Sequence, residues 1–504
     1  MYASLPASTE HGDFVAATAA ALAVATALVL LAGAAYRDIR KAALLVSVVL
    51  AVFIAFGALY SLVEYREIAG IRIGRRRYVI PFVYLSWAAF AVWLFRSRRN
   101  LATITVFANI VTIGALLPPA LRIARVEFTD AGPHSARALL PRVSADVPPT
   151  TRPDIYYVVF DRYGNDETLR AHGVDNAPLF RYLESRGFFV ARESRSNYIN
   201  TFLSLSSSLN MTYLDEVARL QDEHSEDWRP IHELVRTHRV GEFLRSQGYQ
   251  YIHFGSWHPS TRDNPQATRN VNYYTLVPRS TLELLDNPLF EPIQRLVRTP
   301  LLDHRRQHWE RIVRQVNDAV ALAAEPGPKF VFLHLLVPHQ PYVFDRDGSF
   351  VQAEDENRRS RRENYSNQVR AANRLIRQLV DGVLERSPSP PVIIVQGDEG
   401  PYPEGTEGVD YNWSRLSVRL LRQRTGILNA YHLPGDHAAQ LYPDISPVNS
   451  FRVVFNTYLG THLPLLPDRT MRHGSNREPY PFTDVTHLLK PKRVEAVAAT
   501  GASH

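Results

Sequence analysis

The sequence predicts an α/β domain built on a mainly parallel sheet flanked by helices, preceded by an α-helical membrane domain of four transmembrane helices. Three observations predict it. Four charge-free apolar runs crowd the first 121 residues, a proline-bearing stretch follows, and β-rich runs then alternate with helical ones.

At 504 residues the chain exceeds what one hydrophobic core organises, so two or more domains are expected. It contains no cysteine, which excludes a disulfide scaffold, a thiolate metal site and a cysteine nucleophile. That absence leaves the compartment open, because an exported protein can do without disulfides. The formal charge is +7, and all the basic residues except Lys41, Lys329, Lys490 and Lys492 are arginines. Codon bias explains this as well as contact with phosphates or anionic lipid does. No basic-aromatic stripe reads as a nucleic-acid surface, so no nucleic-acid partner is expected.

The membrane domain is expected over residues 1–121, with helices at about 14–35, 42–63, 78–95 and 101–121. A helix needs about 20 apolar residues to cross the hydrocarbon core. Single runs of this kind can be buried core helices, but four in series joined by short arginine-rich loops read as spans. The first is a poor signal peptide, because no basic residue precedes it. The basic-free N-terminus suits the outside and puts Arg37, Arg40, Lys41, Arg96, Arg98 and Arg99 in the cytoplasm. Arg66, Arg72, Arg75, Arg76 and Arg77 then fall outside, so the positive-inside count is nearly balanced. Residues 122–152 read as a linker, where Pro133, Pro141, Pro148 and Pro149 forbid a continuous helix.

From Pro153 the pattern changes. Candidate strands are Ile155–Phe160, Tyr251–Phe254, Phe330–Leu336, Val392–Gln396 and Gly426–Leu433, with helices such as Trp309–Ala324 and Glu363–Arg386 between them. Ser446-Pro447 is a helix start and Gly460 a stop. The domain is expected over 153–470, followed by a C-terminal extension, 471–504, whose small polar end frays.

Acidic residues follow two of these strands: Asp161 after the first, and Asp398 with Glu399 after Val392–Gln396. Sites in open α/β sheets lie beyond the carboxyl ends of the strands, so three carboxylates converge there. Hard cations take such oxygen ligands, although each acid alternatively caps a helix or turn. Thr201 sits before the run FLSLSSSLN. At a helix start it has free backbone N–H groups and the positive dipole end nearby, and a hydroxyl on a divalent metal ionises readily enough to attack phosphorus. An ordinary N-cap threonine is the other reading. His334 and His339, in HLLVPHQPY, are candidates to contact a phosphoryl oxygen or protonate a leaving group, or else are packed histidines. Trp257, His258 and Arg262, after another strand end, are candidates to line the pocket.

At these residues the sequence resembles the alkaline phosphatase superfamily, within it the membrane-anchored sulfatase-like branch that includes lipoteichoic acid synthase and phosphoethanolamine transferases. PDIYYVVFDRYG resembles the first strand with its metal-binding acid, Asp161. SNYINTFLSLSSSLN resembles the nucleophile segment, which places the nucleophile on Thr201. HLLVPHQPY resembles the histidine and proline motif and favours His339 over His334 as the substrate histidine. VIIVQGDEGP resembles the second metal segment, with Glu399 where the family usually has histidine.

The resemblance implies a sulfatase-like phosphotransferase or phosphodiesterase in the cell membrane. Its catalytic domain is expected outside the cytoplasm, acting on a membrane lipid or lipid-linked envelope substrate. One divalent cation is implied, on Asp161, Thr201, Asp398 and Glu399. A carboxylate in place of histidine favours Mn²⁺ or Mg²⁺ over Zn²⁺. The Cys/Ser-x-Pro-x-Arg motif of sulfatases is missing at Thr201, and without cysteine no cysteine-derived formylglycine forms, so phosphoryl or phosphoglycerol transfer is favoured over sulfate ester hydrolysis. The Glu399 departure also fits a catalytically silent, membrane-anchored binding or scaffold protein. Oligomeric state is not legible.

Overall fold

The computed structural model describes residues 11–63, 67–68, 71–72, 75–97, parts of 101–121, 136–149, 151–273, 287–290, 292, 303–403, 405–406, 411–435 and 437–489. The chain divides into two compact units, Met1–Pro133 with Tyr274–Gln307, and His134–Tyr273 with His308–His504.

The first unit carries the apolar helices α1 (His11–Tyr36), α2 (Ile39–Val63) and α3 (Arg76–Arg96). Asp38 stops α1 from running into α2, and its carboxylate accepts from the Arg40 backbone N–H at 3.0 Å. Among the described residues, Ile39–Gly57 and Arg76–Arg96 are long and apolar enough to cross a membrane. Two of the four expected spans are thus present among the described residues. The first expected span falls in α1, whose apolar stretch Ala21–Tyr36 is shorter, and 101–121 lies largely outside the described residues. Ile54 is 76 % exposed, Phe82 70 % and Leu85 69 %, an apolar surface suited to lipid rather than water.

The second unit is organised by a seven-stranded sheet. Its strands are β1 (Ile155–Phe160), β2 (Phe189–Val190), β3 (Gln250–Phe254), β4 (Arg269–Val271), β5 (Lys329–Leu335), β6 (Val392–Gly397) and β7 (Asn429–His432). Their order is β2-β7-β6-β1-β5-β3-β4, parallel from β6 to β4, with β7 antiparallel to both β6 and β2. The mainly parallel sheet is as expected; the edge strands β2 and β4 are too short to carry a sequence pattern. The expected strand Gly426–Leu433 shrinks to β7, because its first residues cross to other partners: the Leu428 N–H bonds the Tyr163 carbonyl and the Leu428 carbonyl accepts from Gly397.

Helices cover both faces. These are α4 (Thr201–Asn210), α5 (Arg239–Ser246), α6 (His304–Leu322), α7 (Arg361–Arg386), α8 (Val418–Thr425) and α9 (Pro447–Tyr458). The two-residue period of β1 divides its side chains. Tyr156, Val158 and Phe160 join a core with α6 and α7, while Ile155, Tyr157 and Val159 join one with α4, α5 and α9. A strand buried on both faces reads as an unbroken apolar run, which is why IYYVVF was legible. At its start, the buried Asp154 carboxylate is paired with the Lys329 ammonium and also accepts the Lys329 backbone N–H at 3.0 Å.

Ser446 sits at the start of α9 in extended conformation without capping it; its hydroxyl donates to Asp468 at 2.6 Å instead. Within the expected linker, Ala136 and Leu140 are buried, and Arg239 donates to the carbonyls of Arg137 and Leu140 at 2.7 Å each. Beyond α9, Met471–Arg472 pairs with Thr483–Asp484, and the Met471 N–H donates to Asn197 O at 2.8 Å.

Several histidines are buried as neutral rings. His238 caps α5: its Nδ1 accepts from the Gly241 N–H at 2.9 Å and Nε2 meets the Tyr251 hydroxyl at 3.0 Å. Burial, aided by His253 and Arg137, pushes its pKa down to about 3, and burial pushes His232 down to about 4. An unfolded histidine takes a proton near pH 6.5, whereas these wait until about 3 to 4. Below pH 6.5 the unfolded chain therefore binds more protons, and stability falls as pH falls. Each such ring should cost roughly 2 kcal/mol between pH 7 and pH 5. Denaturant midpoints of the detergent-solubilised chain across that range check this, and His238→Asn, which keeps a capping acceptor, should flatten the slope by about one proton.

Candidate active site

Three neighbouring strands end level. Phe160 at the end of β1 is paired with Leu335 of β5 on one side and Gly397 of β6 on the other. The next residues, Asp161 and Asp398, therefore leave the sheet side by side at its carboxyl edge. Arg162 turns into the left-handed region, φ 65°, and aims its N–H at Asp398 Oδ1, 2.9 Å away. The Glu399 N–H reaches the same oxygen at 2.7 Å. This leaves Asp398 Oδ2 facing inward.

His334, one residue before the end of β5, completes a cluster. Its Nε2 lies 3.7 Å from Asp161 Oδ2 and 3.9 Å from Asp398 Oδ2. All three side chains are buried, and each offers a ligand atom within 4.8 Å of the others. His334 Nδ1 is held by the Thr261 hydroxyl at 3.3 Å, itself 2.7 Å from the Ser256 hydroxyl. Burial, then the neighbouring Asp398 charge, pushes Asp161 well above the usual carboxylate range. Burial also raises Asp398, against the opposing hydrogen bonds from the Arg162 N–H and the Thr201 side chain, and lowers His334 to about 3. Buried Asp161 Oδ1, Asp398 Oδ2 and His334 Nε2 have no hydrogen-bond partner among the described residues. Two dry carboxylates beside a neutral imidazole are costly as they stand, and a divalent cation is what such a donor set fits.

Thr201 is the first residue of α4. The cap is Asn200, whose side chain accepts from the Phe202 N–H at 3.0 Å. The threonine side chain is thus not used as a cap and lies beside Asp398 instead. Asn197 fastens this segment, donating to the Tyr213 and Ser446 hydroxyls and accepting from the Val448 N–H.

Glu399 faces elsewhere. Its Oε2 lies 2.5 Å from Arg424 Nη2 and its Oε1 3.5 Å from Arg162 Nε. Burial raises its pKa to about 7, against the opposing pull of Arg424. Arg424, fully buried at the end of α8, also donates to the carbonyls of Gly400 and Ile199. Both guanidiniums pack on the Tyr402 ring, at 4.0 Å for Arg162 and 3.8 Å for Arg424. The sequence reading singled out neither arginine. Arg424 stands in an arginine-rich helix where nothing in the pattern marks one as buried.

The remaining candidates form a wall beside Thr201. The Trp257 ring meets those of His258, His308 and His339 at 5.8, 6.3 and 6.4 Å, and Phe202 stacks near His258 at 4.1 Å. Burial, then the Arg162 charge, lowers the His339 pKa well below the usual range. Arg262 is half-buried on the loop whose Thr261 holds His334. The structure thus gathers Asp161, His334, Asp398 and Thr201, turns Glu399 toward the arginines, and sets His339 and Trp257 in a separate wall.

A family model for sulfatases matches residues 154–454, more than half of the chain, and the chain belongs to the sulfatase family. The sulfatase-family domain is preceded by apolar helices, two of which, among the described residues, are of membrane-spanning length. No curated protein matches the chain. Among solved structures it is similar to the C-terminal periplasmic domain of EcEptC from Escherichia coli, at 13% identity and TM-score 0.42, covering 69% of this chain and 96% of that one. It is also similar to the integral membrane lipooligosaccharide phosphoethanolamine transferase A from Neisseria meningitidis, at 12% identity and TM-score 0.40, covering 74% and 69%. A third is BT1596, a 2-O GAG sulfatase, at 10% identity and TM-score 0.38, covering 62% and 72%.

Gly397 shows how tightly the cluster is set. A Cβ there would lie 2.4 Å from the Tyr163 carbonyl oxygen. Gly397→Ala should therefore push β6 off that loop, costing about 1–3 kcal/mol, and displace Asp398. A lowered denaturant midpoint together with lost turnover checks this.

Proposed function

We propose that the protein is an integral membrane, metal-dependent phosphotransferase or phosphodiesterase that acts on a lipid-linked or cell-envelope phosphoester through Thr201. The observation that carries this reading is the buried Asp161, His334 and Asp398 cluster with Thr201, first in its helix and not its cap, placed beside Asp398. Asp161 and Asp398 would hold a divalent cation, which would lower the pKa of the threonine hydroxyl and offset phosphoryl charge.

Asp398 lies beside the Thr201 side chain and orients its hydroxyl. The threonine hydroxyl gives up its proton to water as its oxygen attacks phosphorus, and the bond from phosphorus to the leaving alkoxyl oxygen breaks, the alkoxide taking a proton from water. The helix N-terminus supplies backbone N–H groups and dipole to the negative charge that develops. Trp257 and His339 form the wall that receives the substrate. Water or an acceptor alcohol then attacks the phosphothreonine, releasing the product and restoring the hydroxyl.

Residue 201 is neither cysteine nor serine, so it is not a source of the formylglycine that sulfate ester hydrolysis uses, which favours phosphoryl transfer. A silent scaffold is the second reading, favoured by Glu399 being paired to Arg424.

Thr201→Ala should lower turnover of bis(p-nitrophenyl) phosphate by on the order of 10⁴ with the fold intact. Mass spectrometry should find a phosphorylated peptide spanning residue 201 only in the wild type. An unchanged rate in Thr201→Ala sinks the nucleophile assignment, and no turnover by the wild type on phosphodiester or glycerophospholipid substrates supports the scaffold.

We further place the catalytic domain outside the cytoplasm, on the basic-free N-terminus and the envelope substrate. A C-terminal alkaline phosphatase fusion should be active in cells and a green fluorescent protein fusion dark. The reverse pattern overturns both topology and substrate class.

A further inference from the structure

We propose that His334, and not Glu399, completes the cation site with Asp161, Asp398 and Thr201, and that Glu399 instead anchors Arg424 as a positioning residue for the Thr201 segment. This rests on the metal-dependent reading above and adds to it the identity of the ligands.

Donors about 2.1 Å from one tetrahedral ion stand about 3.4 Å apart. The His334 Nε2 distances of 3.7 Å and 3.9 Å to the two aspartates are close to that spacing. Nε2 is buried, lacks a hydrogen-bond partner among the described residues, and is aimed at the carboxylates. The other ring nitrogen is engaged by Thr261, which Ser256 supports in turn, so the ring is oriented from behind as metal-bound imidazoles usually are.

Glu399 is committed elsewhere. One oxygen lies 2.5 Å from Arg424 and the other is turned to Arg162. Arg424 is fully buried, and withdrawing its carboxylate would strand a guanidinium in the core. Its other N–H groups hold the carbonyls of Gly400, next to Glu399, and of Ile199, two residues before Thr201. The Glu399–Arg424 pair thus ties the second metal segment to the nucleophile loop without entering the ion's shell. An imidazole among oxygen donors also moves the preference away from Mg²⁺ and toward Zn²⁺ or Mn²⁺.

The test uses the full chain in detergent, stripped with chelator and titrated calorimetrically with Zn²⁺ and with Mn²⁺. Wild type should take one tight ion. His334→Ala should weaken it by at least about 100-fold, more than outer-shell substitutions typically do. Glu399→Gln should bind within about threefold of wild type while unfolding at lower denaturant. A readout that does not depend on a mutant's folding is nitrogen-14 electron–nuclear double resonance of Mn²⁺-loaded wild type, which should show a directly bonded nitrogen. Absence of that nitrogen, or retention of the ion by His334→Ala with loss in Glu399→Gln, overturns this assignment and leaves metal dependence standing. Failure of wild type to bind either ion overturns both.

Discussion

The level ending of β1, β5 and β6 is the constraint on which the site depends. Because Phe160 is paired with both Leu335 and Gly397, two aspartates leave the sheet next to each other, and His334 comes up beside them. The register is enforced from below. Every β1 side chain is buried, alternately in two separate cores, and a slip by one residue would exchange them.

That register creates an electrostatic problem. Asp161, Asp398 and Glu399 are brought to one edge of the sheet and are all buried. The fold answers it with three devices. Backbone N–H groups of Arg162 and Glu399 converge on one oxygen of Asp398. Arg424 is brought through the core to Glu399. The opening residue of α4 presents the Thr201 hydroxyl to Asp398. What stays uncompensated is the inward side of Asp161 and Asp398, facing a neutral imidazole, and there the chemistry is concentrated. Perturbed carboxylates gathered at a strand edge mark sites of function more often than sites of stability.

The segment ahead of Thr201 is held more rigidly than a loop requires for stability alone. Asn197 bonds four partners, Arg424 holds Ile199, and the pair after α9 lies against Asn197. A nucleophile is useful only if its oxygen is already where attack occurs, and positioning of that kind has to come from surrounding residues. The same logic explains why Gly397 has no room for a side chain: the strand must pass close to the Tyr163 carbonyl to set Asp398 down beside Asp161.

The sequence by itself determined the elements whose signal is local. Ile155–Phe160 and Val392–Gly397 read as strands because strands buried on both faces are unbroken apolar runs, and the acids directly after them were visible as edge residues. The apolar helices and the serine-rich run behind Thr201 were visible for the same reason, though the described residues carry two membrane-length helices rather than four. Only the tertiary structure decided what each polar group faces. Glu399 and Asp398 are adjacent in the chain, yet one meets Arg424 and the other the Thr201 hydroxyl. His334 lies within a strand and looks like a packed residue until the register sets it against Asp161. Arg424 is one arginine among many until α8 brings it under Tyr402. Periodicity and composition are properties of neighbours along the chain. Polar pairing is a property of neighbours in space, and here the Arg162 N–H and Asp398 stand 236 residues apart in the chain.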